Sequence, residues 1–314
     1  MLRIVGTVLR LLLGAVFAFS GLVKAIDPLG TQYKITDYFT AWNVSIGDTQ
    51  ALILAILLIV VEFTIGAFLV LGVLRKWASV GALAFMIVMT PITLWLAVTN
   101  EVADCGCFGD AILLTNWQTF AKNVVLLALA IAVIWLPDKV FSPLRIRRLL
   151  ALLSPIGIAA LIGHCLYWLP VVDFMPFSVG SDIREKMEFP ADGTMPEILD
   201  FCIETLEGED VTDEILDSKE AILLVAPFLQ NAAKGDSTEY NRLYRASEGK
   251  DFYCLTASSE EEIARWRQET GAEYAIYHAD DIMLKTMIRS NPGIIRMEKG
   301  VVTGKWNHHS LPLK

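Results

Sequence analysis

Five long apolar runs constrain this 314-residue chain more than any other feature. A transmembrane helix needs about 20 mostly apolar residues, and five segments meet this requirement. They are Ile4–Val23, Ala51–Leu74, Trp77–Thr99, Thr119–Leu136 and Leu149–Leu169. The sequence therefore predicts an integral membrane protein whose first half is an all-α bundle of transmembrane helices.

Charge is distributed unevenly between the two halves of the chain. Residues 1–170 carry eleven Lys and Arg against eight Asp and Glu, a net charge of +3, whereas the remainder carries 15 against 27, a net charge of −12. The acidic remainder predicts a soluble domain. It also argues against nucleic acid as a partner, because phosphate contacts need clustered Lys and Arg.

The first apolar run has two interpretations. Arg3 followed by the small residues Ala18 and Ser20 is typical of a cleaved signal sequence. A retained helix is favoured, because Gly14, Ala18 and Gly21 lie four and three residues apart and share one helical face that another helix can approach closely. A cleaved segment has no need of such a face.

Basic residues predict the orientation, since loops rich in Lys and Arg stay on the cytoplasmic side. Arg75 and Lys76 link the second and third spans, and four more basic residues precede the fifth: Lys139, Arg145, Arg147 and Arg148. With the N-terminus inside, the loop Thr36–Asp48, the loop with Cys105 and Cys107, and the chain after residue 170 lie outside, where they can meet. We expect a bacterial cytoplasmic membrane protein with a periplasmic C-terminal domain.

The predicted domains follow from these segments. A four-helix membrane bundle covers residues 1–140, a fifth transmembrane helix 141–170, a linker 171–195 and the soluble domain 196–314. The linker is predicted because Pro176, Gly180 and Pro190 interrupt any helical period.

The soluble domain shows alternating strand and helix patterns. Short apolar runs predict strands, a longer mixed pattern predicts a helix, and Ser259 is the predicted N-cap of a second helix. The strands are expected at Ile198–Glu204, Ala221–Ala226 and Phe252–Leu255, the first helix at Ser237–Glu248, and a hairpin at Gly293–Met297 and Val301–Trp306.

This order of strands and helices resembles the thioredoxin fold over Val211–His309. Ser290-Asn291-Pro292-Gly293 stands where that family has its cis-proline, so the resemblance implies a peptide-binding edge at Asn291 and Pro292. Where the family has Cys-x-x-Cys, the chain reads Pro227-Phe228-Leu229-Gln230. The resemblance thus implies an α/β domain without dithiol chemistry. It either binds a peptide or is a surface domain whose proline only shapes a turn.

The membrane half resembles the DoxX and MauE group of four-helix membrane proteins over Met1–Leu136. The segment Asp104-Cys105-Gly106-Cys107-Phe108-Gly109 is the most specific part of the resemblance. Further residues that carry it are Glu62, Phe63, Gly66, Trp117, Lys122 and Asn123. The resemblance implies a role near extracytoplasmic thiol chemistry. MauE-like proteins are associated with maturing the disulfide-rich subunit of methylamine dehydrogenase, and DoxX-like proteins with oxidation of sulfur compounds at the membrane.

Cys105 and Cys107 are the best candidates for reactivity. Gly106 gives the backbone the freedom that a tight bridge between them demands, and a strained disulfide in such a small ring is easier to reduce. A redox pair that serves a protein client or a thiol–disulfide partner is one interpretation. A structural bridge in a turn and half of a zinc site are the others.

Glu62 lies in the middle of the second span, where a bare carboxylate is costly. It either relays protons that accompany thiol or quinone chemistry, or forms a buried polar contact with another helix. Lys24, Lys122 and Asn123 lie near the outer ends of their spans and are expected to partner outer-face groups. Glu62 is expected to lie too deep to pair with them.

Three further cysteines have a less specific pattern. Cys165, beside His164 in the outer half of the fifth span, either exchanges with the loop pair or is part of the core. Cys202 and Cys254 fall in predicted strands, where they either form a bridge or stay as free thiols.

The sequence leaves three functions open. The first is a redox or maturation factor that uses Cys105 and Cys107, with a quinone as a candidate electron acceptor and no cofactor assigned. The second is a non-catalytic assembly module in the membrane, and the third, resting on Glu62 alone, is passage of a small molecule or lipid. No metal site is expected, because His308 and His309 alone make a weak site and are expected to form a solvated tail.

Overall fold

The chain forms two compact units, Met1–Leu166 and Tyr167–Lys314, in a computed structural model. The structure describes residues 1–138, 145–191, 193–233, 237–247 and 251–311. Lys139, Glu248 and Lys314 lie outside the described residues.

The first unit consists of long apolar helices. Its elements are α1 (Leu2–Ile26), α2 (Pro28–Ala41), α3 (Asp48–Leu71), α4 (Arg75–Thr99), the extended segment β1 (Cys107–Asp110), α5 (Asn116–Trp135) and α6 (Arg145–Tyr167). Within the described residues, α1, α3, α4, α5 and α6 are long and apolar enough to cross a membrane. The five predicted spans are confirmed as helices, and the chain is a multi-pass membrane protein.

The segment between the first two spans differs from the prediction. Its first part is not a loop, because α2 continues to Ala41 and only residues 42–47 separate it from α3. Pro28 occupies the first turn of α2, where its missing N–H has no helical partner to lose. The Asp27 carboxylate caps the helix by accepting a 2.9 Å hydrogen bond from the Gly30 amide.

Small residues bring α1 and α3 into backbone contact, as the sequence predicted. A methyl group on Gly21 would lie 2.7 Å from the Phe63 amide nitrogen, and one on Gly14 would lie 2.8 Å from the Leu69 side chain. Gly66 lies in the same way against Ala18. Because Gly21 is level with Phe63, the end of α1 lies beside the middle of α3.

A buried charge cluster ties the opposite ends of these helices. Asp138 forms ion pairs with Arg10 Nε at 3.0 Å and with Arg75 Nη1 at 2.7 Å, and its side chain is 3% exposed. Arg10 also donates to the Leu69 carbonyl, and Arg75 donates to the Leu136 carbonyl at 3.0 Å. The cluster therefore fixes α1, α3 and α4 against the end of α5.

The second unit is a mixed α/β domain. In chain order it contains α7 (Ile183–Met187), β2 (Ile203–Glu204), α8 (Thr212–Asp217), β3 (Ala221–Val225), α9 (Ser237–Ala246), β4 (Phe252–Thr256), α10 (Glu260–Thr270), β5 (Ala275–Ala279), α11 (Asp281–Met287), β6 (Gly293–Glu298) and β7 (Val301–Asn307). The sheet order is β2-β5-β4-β3-β6-β7, with β3, β4 and β5 parallel and the other neighbours antiparallel.

Each face of this sheet is covered by its own apolar core. Leu223 and Ile295 pack with α7, α8 and α11 on one face, whereas Leu224 and Cys254 pack with α9 and α10 on the other. Residues 171–195, assigned to a linker from the sequence, contribute to the first core through Phe177 and Ile183.

Most elements predicted for this unit are confirmed. β3, α9, β4, the hairpin of β6 and β7, and the capping box of Ser259 at α10 are present, and the peptide bond between Asn291 and Pro292 is cis. The strand predicted at Ile198–Glu204 is reduced to β2, at the edge of the sheet. The pair β5 and α11 was not predicted.

Candidate functional site

The two loop cysteines lie in a tight turn between α4 and α5. Gly106 adopts a φ of +64°, its amide donates to Asp104 Oδ1 at 2.8 Å, and the Gly109 amide donates to its carbonyl at 3.0 Å. Lys34 of α2 binds the other oxygen of Asp104 at 2.5 Å. The left-handed glycine and the ion pair hold the turn closed, so that both cysteines point to the same side.

The sulfur atoms of Cys105 and Cys107 lie 2.8 Å apart, and both cysteines are free thiols in the structure. Cys105 is buried beside Leu96 and Val102, while Cys107 is half-buried. The backbone is fixed on both sides, because the Tyr38 hydroxyl donates to the Cys105 carbonyl at 3.3 Å and the Ser20 hydroxyl donates to the Cys107 carbonyl. Only a small movement of the two sulfur atoms would be needed to form a disulfide.

A buried ion pair lies next to the cysteines. Lys24 Nζ binds Glu62 Oε2 at 2.6 Å and donates to Ser20 Oγ at 3.0 Å, so a polar chain runs from Glu62 to the backbone of Cys107. The expectation that Glu62 lies too deep to pair with Lys24 is wrong. The glycine contact between α1 and α3 places the end of α1 beside the middle of α3, which brings the two side chains level.

Lys122 and Asn123 of α5 complete the group. Lys122 Nζ lies 4.3 Å from the centre of the Phe108 ring, and Asn123 donates to Thr93 Oγ1 at 3.1 Å. A cavity of about 20 Å³, enough for about one water molecule, is lined by residues that include Lys24, Glu62, Cys107, Lys122 and Asn123. Five of the sequence-predicted site residues therefore line one cavity, and Cys105 contacts one of them, Cys107.

The pKa values of the two thiols are shifted in opposite directions. The hydrogen bond from the Cys105 thiol lowers the pKa of Cys107 to about 6. The cations of Lys122 and Lys24 act in the same direction, whereas burial opposes them. The same hydrogen bond and burial raise the pKa of Cys105 well above its ordinary value. Burial and the neighbouring Cys105 raise the pKa of Tyr38, which stays a hydrogen-bond donor. The lowered pKa of Cys107 favours its thiolate at neutral pH, beside the Cys105 thiol, and the thiolate is the reactive form.

An apolar pocket of about 260 Å³ opens beside the pair. It lies between the end of α1, α2, α3, α4 and the cysteine turn. This pocket was not predicted from the sequence, because the end of α2 was predicted to be a loop. The run of Tyr38, Phe39 and Trp42 was the available signal.

His164 and Cys165 are not among the residues that line either of these cavities. Both lie in α6, where Cys165 is buried and His164 is exposed. Exchange between Cys165 and the loop pair stays a prediction.

The candidate peptide site lies in the second unit. Asn291 Nδ2 donates to the Phe228 carbonyl at 2.9 Å, and Ser290 Oγ donates to the Pro292 carbonyl at 2.6 Å. Phe228 also lines a groove of about 510 Å³ with Cys202 and His278 and four acidic residues, Asp200, Glu204, Asp280 and Asp281.

Of the two alternatives for Cys202 and Cys254, the structure supports free thiols. Cys202 is exposed, whereas Cys254 is enclosed in the core, where burial raises the pKa of its thiol to about 12. The expectation that His308 and His309 form a solvated tail is wrong, because both rings contact other residues. His308 Nδ1 lies 3.1 Å from Ser290 Oγ, and the His309 ring stacks on Tyr167 at 4.3 Å.

The described part of the chain contains no candidate metal site. No group of three or more His, Cys, Asp or Glu side chains there could hold a metal ion. The zinc interpretation of Cys105 and Cys107 thus gains no further ligand there.

Comparison with known proteins identifies one family. Residues 2–136 match the family described as Methylamine utilisation protein MauE, which covers less than half of the chain. Searches among curated proteins and solved structures found no match. The MauE resemblance is confirmed over α1 to α5, whereas the comparisons give no support to the DoxX or thioredoxin resemblance.

The acidity of Cys107 predicts its pH profile of alkylation. Because only the thiolate reacts, labelling of Cys107 by iodoacetamide should rise with a midpoint near pH 6. Cys105→Ala removes the hydrogen-bond donor and should move the midpoint toward the ordinary value of about 8.5. Mass spectrometry of the labelled peptides measures both midpoints. Exposed Cys202 is the internal control, and its pKa is raised by burial and nearby carboxylates. A Cys107 midpoint equal to that of Cys202 would contradict the assignment.

The ion pair predicts non-additive effects on stability. Lys24→Met and Glu62→Gln each leave one buried partner alone and should lower the free energy of unfolding by about 3–5 kcal/mol. The double variant Lys24→Met with Glu62→Gln should be less destabilised than the sum of the two single variants. Lys76→Met, at an exposed lysine, is the control. Unfolding in detergent measures these differences, and additive losses would show that the pair is not coupled.

Proposed function

We propose that the chain is a membrane factor for extracytoplasmic thiol–disulfide exchange, with Cys105 and Cys107 as its redox pair. The observation that carries this proposal is the direct contact of the two sulfurs at 2.8 Å, in a turn whose backbone is held from both sides. A disulfide that only braces the turn would not require surroundings that lower the pKa of Cys107.

The exchange reaction follows from the unequal acidities. In the disulfide form, a client thiolate attacks Cys105, and Cys107 leaves as the thiolate because the thiol of lower pKa is the better leaving group. A second client thiolate then attacks the client sulfur of the mixed disulfide. Cys105 leaves and takes a proton. One S–S bond is broken and one is formed, so the client gains the disulfide that the pair loses.

The family match supports a membrane accessory role. The matched family is described by methylamine utilisation, and the reactive turn lies within the matched residues. A client whose maturation requires disulfide bonds would be served by such a pair, and we propose this class of protein as the partner.

The span count supports a common location for the turn and the second unit. The cysteine turn follows the third candidate span and the second unit follows the fifth, so both would lie on the same side of a membrane that the spans cross alternately. The basic residues Arg75, Lys76, Arg145, Arg147 and Arg148 favour the cytoplasm for the opposite side. We propose that the second unit is periplasmic, in the cytoplasmic membrane of a bacterium.

A second candidate function belongs to the second unit, as a non-catalytic peptide-binding module. The order β3, α9, β4, α10, then β6 and β7 supports a thioredoxin-like relationship with β5 and α11 inserted. The acidic groove beside Phe228 favours an extended peptide with basic residues. This unit would hold a client protein while Cys105 and Cys107 react with that client. Alternatively, it would only anchor the client, without any reaction at the cysteines.

Exchange with a reduced dithiol peptide tests the redox function. The purified, oxidised chain should oxidise one peptide per molecule. Cys105→Ser and Cys107→Ser should each abolish this reaction, because neither sulfur alone holds a disulfide. Cys254→Ala changes a cysteine outside the pair and outside the acidic groove and should leave the rate unchanged. Chromatography separates the two peptide forms. Equal rates for the wild type and the two loop variants would refute the proposed function.

A further inference from the structure

The pocket beside the cysteines has an aromatic and apolar lining. Three aromatic residues line it, and Trp42 packs in turn on Trp95, with ring centres 5.6 Å apart. Its remaining apolar lining is Ile35, Leu54, Leu58, Met89 and Ile92. The volume of about 260 Å³ is near the lower end of the range for small-molecule sites, about 300–1,000 Å³.

The depth of the pocket favours a ligand that is dissolved in the membrane. Leu58 lies ten residues into α3 and Ile92 seven residues before the end of α4, which at 1.5 Å per residue is about 15 and 10 Å inside the helix ends. Trp42 and Leu54 at its edge are 43% and 41% exposed. A polar peptide has no reason to enter at this depth, whereas a lipid-soluble molecule can.

Both redox cysteines form one wall of the pocket. Cys105, Gly106 and Cys107 line it together with Lys24, Thr31 and Lys34. A ligand in the pocket therefore lies against the cysteine turn on one side, and polar groups that can bind its oxygens lie nearby.

Oxidation of the pair releases two electrons, which need an acceptor. We propose that this pocket binds a membrane quinone, which reoxidises Cys105 and Cys107 after each exchange reaction. The assignment rests on the proposed function and names its electron acceptor: a planar, lipid-soluble ring that takes two electrons together with two protons.

The reaction balances with these groups alone. The S–S bond forms between Cys105 and Cys107, the S–H bond of Cys105 breaks, and two electrons pass to the quinone. Its two oxygens take the proton of Cys105 and one proton from the solvent, which received it from a client thiol during the exchange reaction. The products are one disulfide and one quinol.

The test uses the full chain in lipid nanodiscs, reduced and without oxygen, with ubiquinone-1 as the probe. Each molecule should form one quinol, by absorbance, and lose two maleimide-reactive thiols. Leu58→Trp fills the pocket and should lower the rate of quinone reduction at least tenfold relative to the exchange rate in the same sample. Leu57→Trp, at a neighbouring residue that is 55% exposed and does not line the pocket, should match the wild type.

Photolabelling with an azidoquinone separates binding from chemistry. In the variant with both Cys105→Ser and Cys107→Ser, the label should map to residues 35–42, and ubiquinone-1 should displace it. Displacement by oleoyl lipid at the same concentration would show that an acyl chain occupies the pocket and would overturn the proposal.

The remaining outcomes distinguish the two levels of the account. If the wild type oxidises the dithiol peptide but neither reduces ubiquinone-1 nor takes the label in this pocket, the quinone site is refuted and the exchange function stands. Equal ratios of quinone reduction to exchange in Leu58→Trp and the wild type would also refute the site. If the label maps to the pocket and no exchange occurs, the exchange function falls and the binding site stands.

Discussion

The close approach of α1 and α3 determines the geometry of the whole thiol site. Gly14, Gly21 and Gly66 allow the two backbones to touch, which is how helices associate where no hydrophobic force drives them together. This contact fixes their relative height, so the end of α1 lies beside the middle of α3. Lys24 then meets Glu62 instead of reaching the membrane surface. A larger residue at any of the three glycines would separate the helices and with them the ion pair.

The ion pair in turn shapes the chemistry of the cysteine turn. A lone carboxylate or ammonium at this depth is costly, but paired at 2.6 Å the two groups stabilise each other and leave Lys24 free to donate to Ser20. Ser20 holds the backbone of Cys107. With Lys122 nearby, the surroundings of Cys107 are cationic, which favours a thiolate. The buried ion pair and the backbone of the cysteine turn thus belong to one chain of polar contacts.

The sequence predicted the parts of this site but not their assembly. The spans could be identified because length and hydropathy are sufficient for a transmembrane helix, and the turn because two cysteines flank a glycine. The pairing of Lys24 with Glu62 was missed because the position of a residue along its helix was used as its depth in the membrane. That holds only when the ends of the two helices lie at the same height. The apolar pocket depends on α2, whose helical pattern is short. In the second unit, β5 was missed because Ile276 is its only fully buried residue, so it shows neither alternation nor a continuous apolar run.

The redox state of Cys105 and Cys107 in living cells tests the central claim most directly. Cells are acidified to stop exchange, and free thiols are tagged with a maleimide that adds mass. With Cys165, Cys202 and Cys254 replaced by Ala or Ser, the tags count the two loop thiols alone. The account predicts that both the disulfide and the dithiol form are populated, and that a brief pulse of dithiothreitol shifts the pair to the dithiol, followed by return to the disulfide after washing. A pair that stays entirely oxidised or entirely reduced throughout would contradict it.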